Sequence, residues 1–298
     1  MRVTQGMLAN NSLRHLSSSY DRMGNLQDQL STGKKITKPS DDPVIAMKGM
    51  QYRTGLTEVE QYKRNLSEAY QWMENSEGGI EHATQVFQRA RELFLQAKNG
   101  TNSDEDLKAI GAEIGQLKED LASVVNTQVA GRYIFNGDAT NKPPATVNPD
   151  GTVTFAPNTN QVKIAISNGV QLEVNTNPLK AFGGEVSGDN LFATFKSIED
   201  AINNADMSNS DELLGKMDQH FDTLNAERAV LGARYNRLEL IDDRIGQQEV
   251  TANRVLSDNE DADIERVITE LKMQESVHRA ALSVSSRIIQ PTLMDFLR

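Results

Sequence analysis

The side chains best suited to chemistry in this sequence are four histidines and one acidic run. The histidines are His15, His82, His220 and His278, and none of them lies in the HExxH spacing of a zinc hydrolase. The acidic run, residues 258–263, does not have the ligand spacing of an EF-hand calcium loop. It is better explained as negative charge at the positive end of a helix. No metal site is therefore predicted.

Motifs for nucleophilic or phosphate chemistry are also absent from the sequence. There is no G-x-S-x-G turn and no glycine-rich phosphate loop. The chain has no cysteine, which excludes thiol chemistry and disulfides. Asn10, Asn65 and Asn99 begin N-x-[ST] sequons, but such triplets occur by chance and two of these lie in predicted helices. We predict no catalytic or cofactor-binding residue, no cofactor and no enzyme activity.

Composition limits the classes of protein to which this chain could belong. The 298 residues carry a net charge of −11 and only 5% aromatics, which argues against a nucleic-acid partner and against one large globular core. No apolar run approaches the ~20 residues of a membrane span, and the first residues lack the apolar core of a cleavable signal peptide. The basic turn of Lys34, Lys35 and Lys38 is more simply a solvated loop than an anion site, although both interpretations stay open.

The segment LSTGKKITKPSDDPVIAM, residues 30–47, predicts a junction between two helices. Gly33 suits a helix stop because glycine accepts positive φ. The polar residues 40–42 are good N-caps, and Pro43 suits the first helical position. A capped helix should therefore begin at Pro43.

A long heptad repeat follows Pro43. Eight apolar residues recur at every seventh position, more than the three or four heptads that identify a coiled coil: Ile45, Tyr52, Val59, Leu66, Met73, Ile80, Phe87 and Phe94. A helix over residues 43–98, with Gly100 as its stop, would be roughly 84 Å long. Only the pair Gly78 and Gly79 interrupts the pattern, where a bend is expected.

Three further helices are predicted around a small β module. Ser103 caps a helix whose apolar residues continue to Gln128 and which should return antiparallel to the first. Alternating residues flank Asn168-Gly169, predicting a hairpin with a type I′ turn. Helical patterns return at 191–202 and from about Ser210.

A last helix is predicted after SDNEDADIER, with Ser257 and Glu260 forming a capping box. Apolar stripes run along this helix, along the tail after it and along the first helix of the chain. Because no such stripe can be buried by its own helix, the stripes would cover either each other or neighbouring molecules. Their residues are Leu13, Leu16, Tyr20, Met23, Leu30, Ile264, Val267, Leu271, Val277, Val284, Ile288, Leu293, Phe296 and Leu297.

These elements predict a mainly α-helical fold with a nested arrangement. Terminal assembly helices would comprise residues 1–42 and 257–298. A long antiparallel coiled-coil or helical-bundle stem would comprise 43–132 and 188–256, and it would carry one small β-rich domain at 133–187.

Three segments resemble the bacterial flagellin family. NLQDQLSTGKKITKPSDDPVIAM is similar to the family's N-terminal block, and LGARYNRLE (residues 231–239) to its returning helix. SDNEDADIERVITELKMQESVHRAALSVSSRIIQPTLMDFLR resembles its closing block. GRYIFNG, at 131–137, is similar to a segment of the members that form the hook–filament junction.

The resemblance implies a secreted, extracellular structural subunit that is exported unfolded through the flagellar type III channel. Its termini would be flexible in the free monomer and ordered as coiled coils on assembly, with the apolar stripes of the terminal helices as the assembly interface. Its expected partners are hook-associated protein 1, flagellin, neighbouring copies of itself in a ring and an export chaperone on the C-terminal helix. No nucleic acid and no membrane insertion are expected.

The expected role is the junction layer between hook-associated protein 1 and the flagellin filament, and two alternatives to it stay open. A filament flagellin would differ by open-ended self-polymerisation. A soluble coiled-coil adaptor would resemble flagellin only at its ends, and its termini would resist protease in the free chain.

Overall fold

The computed structural model describes residues 5–99, 102–183 and 190–289. Helices dominate these segments, and the strands form three separate antiparallel pairs. The helices are α1 (Gln5–Thr32), α2 (Pro43–Lys98), α3 (Asp104–Val125), α4 (Leu191–Asn203), α5 (Ser210–Glu260) and α6 (Ile264–Ile289). The strands are β1 (Gln128–Val129), β2 (Arg132–Tyr133), β3 (Ala145–Val147), β4 (Val153–Phe155), β5 (Lys163–Ser167) and β6 (Val170–Glu173). A π-helical turn occupies Leu179–Gly183. This arrangement confirms the mainly α-helical fold class.

The chain divides into two compact units. The terminal unit consists of Met1–Glu58 and Gln248–Arg298, and the central unit consists of Val59–Gln247. The long helices α2 and α5 contribute residues to both units.

The predicted start of α2 is confirmed in atomic detail. Gly33 has φ +71° and its N–H donates to the carbonyl of Gln29, which ends α1. Asp42 Oδ1 then accepts from the backbone N–H groups of Val44 and Ile45 at 2.9 and 3.1 Å. The carboxylate satisfies donors that the first turn of α2 leaves without a helical partner.

Ion pairs fix the helix directions in the central unit. Arg89 contacts Glu113 on α3 at 2.8 Å, and Arg91 contacts Asp218 on α5 at 2.9 Å. His82 also lies 3.7 Å from Asp120 of α3, and Arg228 of α5 contacts Glu77 at 2.6 Å. Because residue numbers fall along α3 and α5 as they rise along α2, both helices are antiparallel to α2, as predicted for α3.

The heptad of α2 forms the core of the central unit. From Leu66 onward every heptad residue is almost completely buried, through Met73, Ile80, Phe87 and Phe94. Phe87 packs against Phe195 of α4, with ring centroids 5.8 Å apart. Large apolar side chains at strict heptad spacing therefore give a dry core.

The hairpin of β5 and β6 is present, but its predicted turn type is wrong. Asn168 does not have the positive φ that a type I′ turn needs at both central positions, whereas Gly169 has φ +71°. The strand register shifts between Ala165 and Ser167. Such a bulge increases the local twist, so the two strands can meet without a type I′ turn.

The GRYIFNG segment packs the β module against α2 within the central unit. Ile134 and Phe135 are fully buried, and the edge of the Phe135 ring lies 2.8 Å from where a Cβ on Gly79 would be. The buried Asn136 amide donates to the carbonyls of Ala139 and Lys142. α2 continues through Gly78 and Gly79, so Gly79 admits a neighbouring ring and the sequence does not break the helix there.

Two predicted helix ends need correction. The third helix ends at Val125, and Gln128 belongs to β1. α5 continues through Glu260, so Ser257 lies inside it and the predicted capping box with Glu260 does not form. Asp263 caps α6 instead, because its Oδ1 accepts from the N–H of Arg266 at 3.1 Å. Gly100, predicted to end α2, lies outside the described residues.

Among the helices described above, none combines the length and the apolar character that a membrane-spanning helix requires.

Candidate assembly interface

The terminal helices α1 and α6 pair along one heptad seam. On α1 the seam positions alternate three and four residues apart, and those on α6 do the same. The α1 residues are Ser12, Leu16, Ser19, Met23 and Leu26; the α6 residues are Val267, Leu271, Gln274, His278, Ala281 and Ser285. All are buried or half-buried. Because this spacing keeps one stripe facing a partner helix, the pair has the sequence pattern of a coiled coil.

The seam is unusually polar for such a pair. Ser19 is only 3% exposed, and Gln274 Nε2 donates to Ser19 Oγ at 2.9 Å. His278 Nδ1 lies 3.3 Å from the same hydroxyl. Polar side chains at seam positions reduce the apolar area that the pair can bury.

Exposed apolar residues of both helices lie outside the seam. Met7, Leu13 and Tyr20 of α1 are 56% to 65% exposed. Six apolar residues of α6 are 38% to 60% exposed: Ile264, Ile268, Met273, Val277, Leu282 and Val284. At about 100° per residue, those of α6 fall on both sides of the seam. We call these exposed residues of α1 and α6 the outer flanks.

The structure divides the predicted interface residues into two groups. Leu16, Met23, Val267 and Leu271 line the seam and contribute to the pairing of α1 with α6. Leu13, Tyr20, Ile264, Val277 and Val284 lie on the outer flanks, and Leu30 is 38% exposed. Ile288 belongs to α6, but its side chain is outside the described part of the chain, as are the tail residues Leu293, Phe296 and Leu297.

The basic turn and the acidic run form a joint at the base of this pair. The N–H of Lys35 donates to the carbonyl of Glu260 at 2.6 Å, and the N–H of Ala262 donates to that of Gly33 at 2.8 Å. Lys34 and Asp261 thereby form an isolated antiparallel bridge. Lys35 Nζ donates to the carbonyl of Asp258 at 2.5 Å. The lysines of the turn at 34 and 35 are therefore bound, which corrects the prediction of a solvated loop.

Glu260 is the buried centre of the joint. Its carboxylate lies 2.7 Å from Arg53 and 3.5 Å from Lys34. Gly49 lies so close that a Cβ there would be 2.5 Å from Glu260 Oε1. Asn259 Nδ2 also donates to the carbonyl of Ile45 at 3.1 Å. These contacts hold the end of α5 against the start of α2 within the terminal unit.

Electrostatics in the joint follow from the same contacts. The hydrogen bond from Lys34 Nζ at 2.7 Å holds the pKa of Asp261 below its ordinary 3.8, with a second hydrogen bond from Ser257. The same contact raises the pKa of Lys34 above its ordinary 10.5. Hydrogen bonds to the charged form stabilise it, so both groups are ionised across the neutral range.

The four histidines do not converge. His15 is exposed on α1, His82 faces Asp120, His220 lies 3.0 Å from Thr194 Oγ1, and His278 joins the seam. Among the described residues no group of histidine, aspartate and glutamate side chains could hold a metal ion. The Asn65 sequon is engaged as well, because its amide donates to the carbonyl of Ala165 at 2.7 Å.

Sequence reasoning missed the joint and the polar seam. The pairing of the basic turn with the acidic run links residues more than 220 positions apart, which no local pattern reveals. The seam could have been found, because Gln274 and His278 occupy strict heptad positions between Leu271 and Ala281. The spacing of apolar residues alone does not separate the seam from the outer flanks, so the sequence predicts both as one stripe.

Comparison with known proteins agrees with this architecture. The bacterial flagellin N-terminal helical region matches residues 3–140, and the bacterial flagellin C-terminal helical region matches residues 214–297. Together they cover about three quarters of the chain.

Individual relatives extend the match to almost the whole length. The flagellar hook-associated protein 3 of Escherichia coli strain K12 is 27% identical over 94% of this chain and 95% of its own. A flagellin of Listeria innocua is 23% identical over 99% of this chain and 98% of its own. The flagellar junction protein FlgL from Legionella pneumophila has the same fold, with TM-score 0.60, 16% identity and coverage of 72% of this chain and 100% of its own.

The paired terminal helices, the heptad core of α2 and both matching regions together establish that this chain belongs to the bacterial flagellin family.

Proposed function

We propose that this protein is a structural subunit of the flagellum that forms the junction between the hook and the filament. The observation that carries the proposal is the exposure of the outer flanks of α1 and α6. Family membership makes it a structural protein and not an enzyme. The chain is 27% identical to a hook-associated protein 3 and 23% identical to a flagellin of comparable coverage, and a solved junction protein has its fold, which favours the junction over the filament.

The proposed mechanism depends on which surfaces of the subunit become buried on assembly. Neighbouring subunits would cover the outer flanks, and each buried methylene would then contribute about 0.8 kcal/mol. Because this burial becomes available only on assembly, ordering of the terminal helices would be coupled to binding. The three-segment division predicted from the sequence (1–42 with 257–298, 43–132 with 188–256, and 133–187) serves this mechanism as a proposal, with the β-rich segment facing outward.

The proposed partners follow from the position in the flagellum. Hook-associated protein 1 would contact one face of the layer, flagellin the other, and copies of the chain would complete a ring. Export would proceed through the flagellar type III channel, with a chaperone holding the C-terminal helix until assembly outside the cell. The observation in support is the same exposed apolar surface, which a free chain leaves in contact with water.

The filament alternative differs in what the purified chain builds. Electron microscopy of the concentrated chain with short filament seeds should show monomers or a single layer on the seed ends. Long filaments made of this chain would instead make it a flagellin. The adaptor alternative has less support, because the relatives match far more than the two ends of the chain.

The outer flanks give the sharpest mutational test of assembly. Leu13→Asp and Val277→Asp should abolish incorporation onto seeds, because a charge would be buried in the subunit contact. Ser17→Asp and Ser276→Asp add the same charge at exposed polar positions of the same helices and should assemble nearly as the parent does. Equal loss in all four variants would contradict a role for the apolar flanks.

Substitutions of the apolar seam residues would test the role of the outer flanks in assembly less directly. Leu16→Asp and Leu271→Asp should also abolish assembly while the thermal unfolding of the central unit stays nearly unchanged. However, both residues line the contact between α1 and α6, so their effect would combine loss of the pair with loss of assembly.

A further inference from the structure

The Ser19 cluster lies where the packing of α1 against α6 is weakest. Ser19, Gln274 and His278 occupy adjacent seam positions, and the seam continues through the small residues Ala281 and Ser285. Beside this part of the seam, exposed apolar residues lie on both sides of α6 and on one side of α1: Met273, Val277, Leu282 and Val284 of α6, and Leu13 and Tyr20 of α1. The hydrophobic effect alone would therefore favour rolling both helices until their flanks faced each other.

The joint does not prevent such a roll. It fixes the ends of the two helices through the hydrogen bond from Ala262 to Gly33 and the bridge at Lys34, which sets the register along the axes. Ser19 lies almost four turns from the end of α1. Rotation about the helix axes at that distance needs a separate constraint.

We propose that the hydrogen-bond cluster of Ser19, Gln274 and His278 orients α1 on α6 and so keeps their apolar flanks outward. Ser19 Oγ accepts from Gln274 Nε2 at 2.9 Å, while His278 Nδ1 lies 3.3 Å from the same oxygen. A roll would pull the nearly buried hydroxyl away from both partners. Polar groups left unpaired at a helix contact are destabilising, as with polar seam residues that specify coiled-coil geometry.

The consequence for subunit contacts rests on the proposed function. In this orientation the outer flanks stay exposed to neighbouring molecules instead of being buried within the chain. Ser19, Gln274 and His278 would act as positioning residues, since Gln274 and His278 contact Ser19 within the same chain.

A competition between cysteines measures the orientation directly in the free chain, which has no natural cysteine. Cysteines replace Leu13 on a flank, Leu16 in the seam and Ala281 in the seam of α6. Under dilute oxidising conditions, peptide mapping then gives the ratio of the 16–281 disulfide to the 13–281 disulfide. Positions 13 and 16 lie within one helical turn, so the ratio reports rotation.

The parent with these cysteines should favour the 16–281 disulfide strongly. Adding Ser19→Ala should lower the ratio about tenfold, the effect expected when a buried polar group loses its partner. Ser12→Ala is the matched control, because Ser12 is a half-buried seam serine whose side chain makes no hydrogen bond within the described residues. That variant should leave the ratio unchanged.

Three results would overturn the proposal: no preference in the parent, an equal shift in both variants, or no shift with Ser19→Ala. Loss of both disulfides with Ser19→Ala would also overturn it, because the cluster would then hold the pair together and not orient it. The measurement needs no assembly, so failure to build a junction layer would bear on the proposed function alone.

Discussion

The terminal and central units have the same heptad spacing but differ in the residues that occupy it. In the central unit the heptad of α2 carries Leu66, Met73, Ile80, Phe87 and Phe94, and all are buried. In the terminal unit the seam of α1 and α6 mixes apolar residues with Ser19, Gln274 and His278, and further large apolar residues lie exposed outside it. The central unit buries its heptad line within itself, whereas the terminal unit leaves apolar surface that further molecules can cover.

The largest effect is expected in the central core. Phe87→Ala should lower the free energy of unfolding by about 3–5 kcal/mol, because it removes a fully buried ring and leaves a cavity. Denaturant titration followed by circular dichroism would measure it. Tyr52→Ala changes a half-buried residue on the same heptad line in the terminal unit and should lose clearly less. Equal losses would contradict the contrast between the units.

A smaller effect is expected at the glycine pair of α2. Gly79→Ala should destabilise the protein by about 1–2 kcal/mol, because the new Cβ would meet the buried ring of Phe135. Gly78→Ala has open space around it and should stabilise by about 0.5–1 kcal/mol, through loss of glycine's flexibility. Thermal unfolding of both variants gives the comparison, and a stabilised Gly79→Ala would show that Phe135 does not pack as described.

The corresponding change in the terminal unit should be milder. Gly49→Ala would push the Glu260 carboxylate away from Arg53, but a carboxylate end can swing aside more easily than a packed ring. We expect it to be about 1 kcal/mol less stable than Gly55→Ala, a control on the same helix with open space. Amide exchange of residues 45–58 and 257–262 would report the difference. Identical exchange in the two variants would rule out a close approach at Gly49.

The smallest effect concerns pH in the joint. The depressed pKa of Asp261 gives stability that is present above its ordinary 3.8 and is lost as pH falls through the lower folded value. The raised pKa of Lys34 gives stability present below 10.5 and lost as pH rises through the higher folded value. Both side chains are more than a third exposed, so solvent screening keeps the contribution small.

NMR titration would test this linkage. Lys34→Gln should return the pKa of Asp261 toward its ordinary value. Asp106 provides an internal control, since Ser103 lowers its pKa through the capping box of α3. An Asp261 titration unchanged by Lys34→Gln would mean that the lysine does not govern that carboxylate.

Local sequence patterns predicted most of the helices and the junction between α1 and α2. Gly33, Asp42 and Pro43 act through neighbouring backbone groups, so their roles could be read from the sequence. Heptad spacing likewise predicted the buried line of α2. Such features depend on residues a few positions apart.

The features that could not be predicted depend on tertiary contacts. The sequence shows neither the bridge of Lys34 with Asp261 nor the approach of Phe135 to Gly79. The end of α5 was misplaced because Ser257 and Glu260 match a capping box, while the joint uses Glu260 for Arg53. In the seam, Gln274 and His278 contact the Ser19 hydroxyl, and an apolar periodicity does not record such polar contacts.

Hydrogen–deuterium exchange before and after assembly tests the central claim most directly. The free chain should exchange faster in α1 and α6 than in the Ile80–Phe94 part of α2, and the exchange of α1 and α6 should slow strongly once the chain is layered on seeds. Residues 80–94 should change little. Equal protection of both regions in the free chain, or terminal helices that gain no protection on assembly, would contradict a terminal unit that other subunits complete.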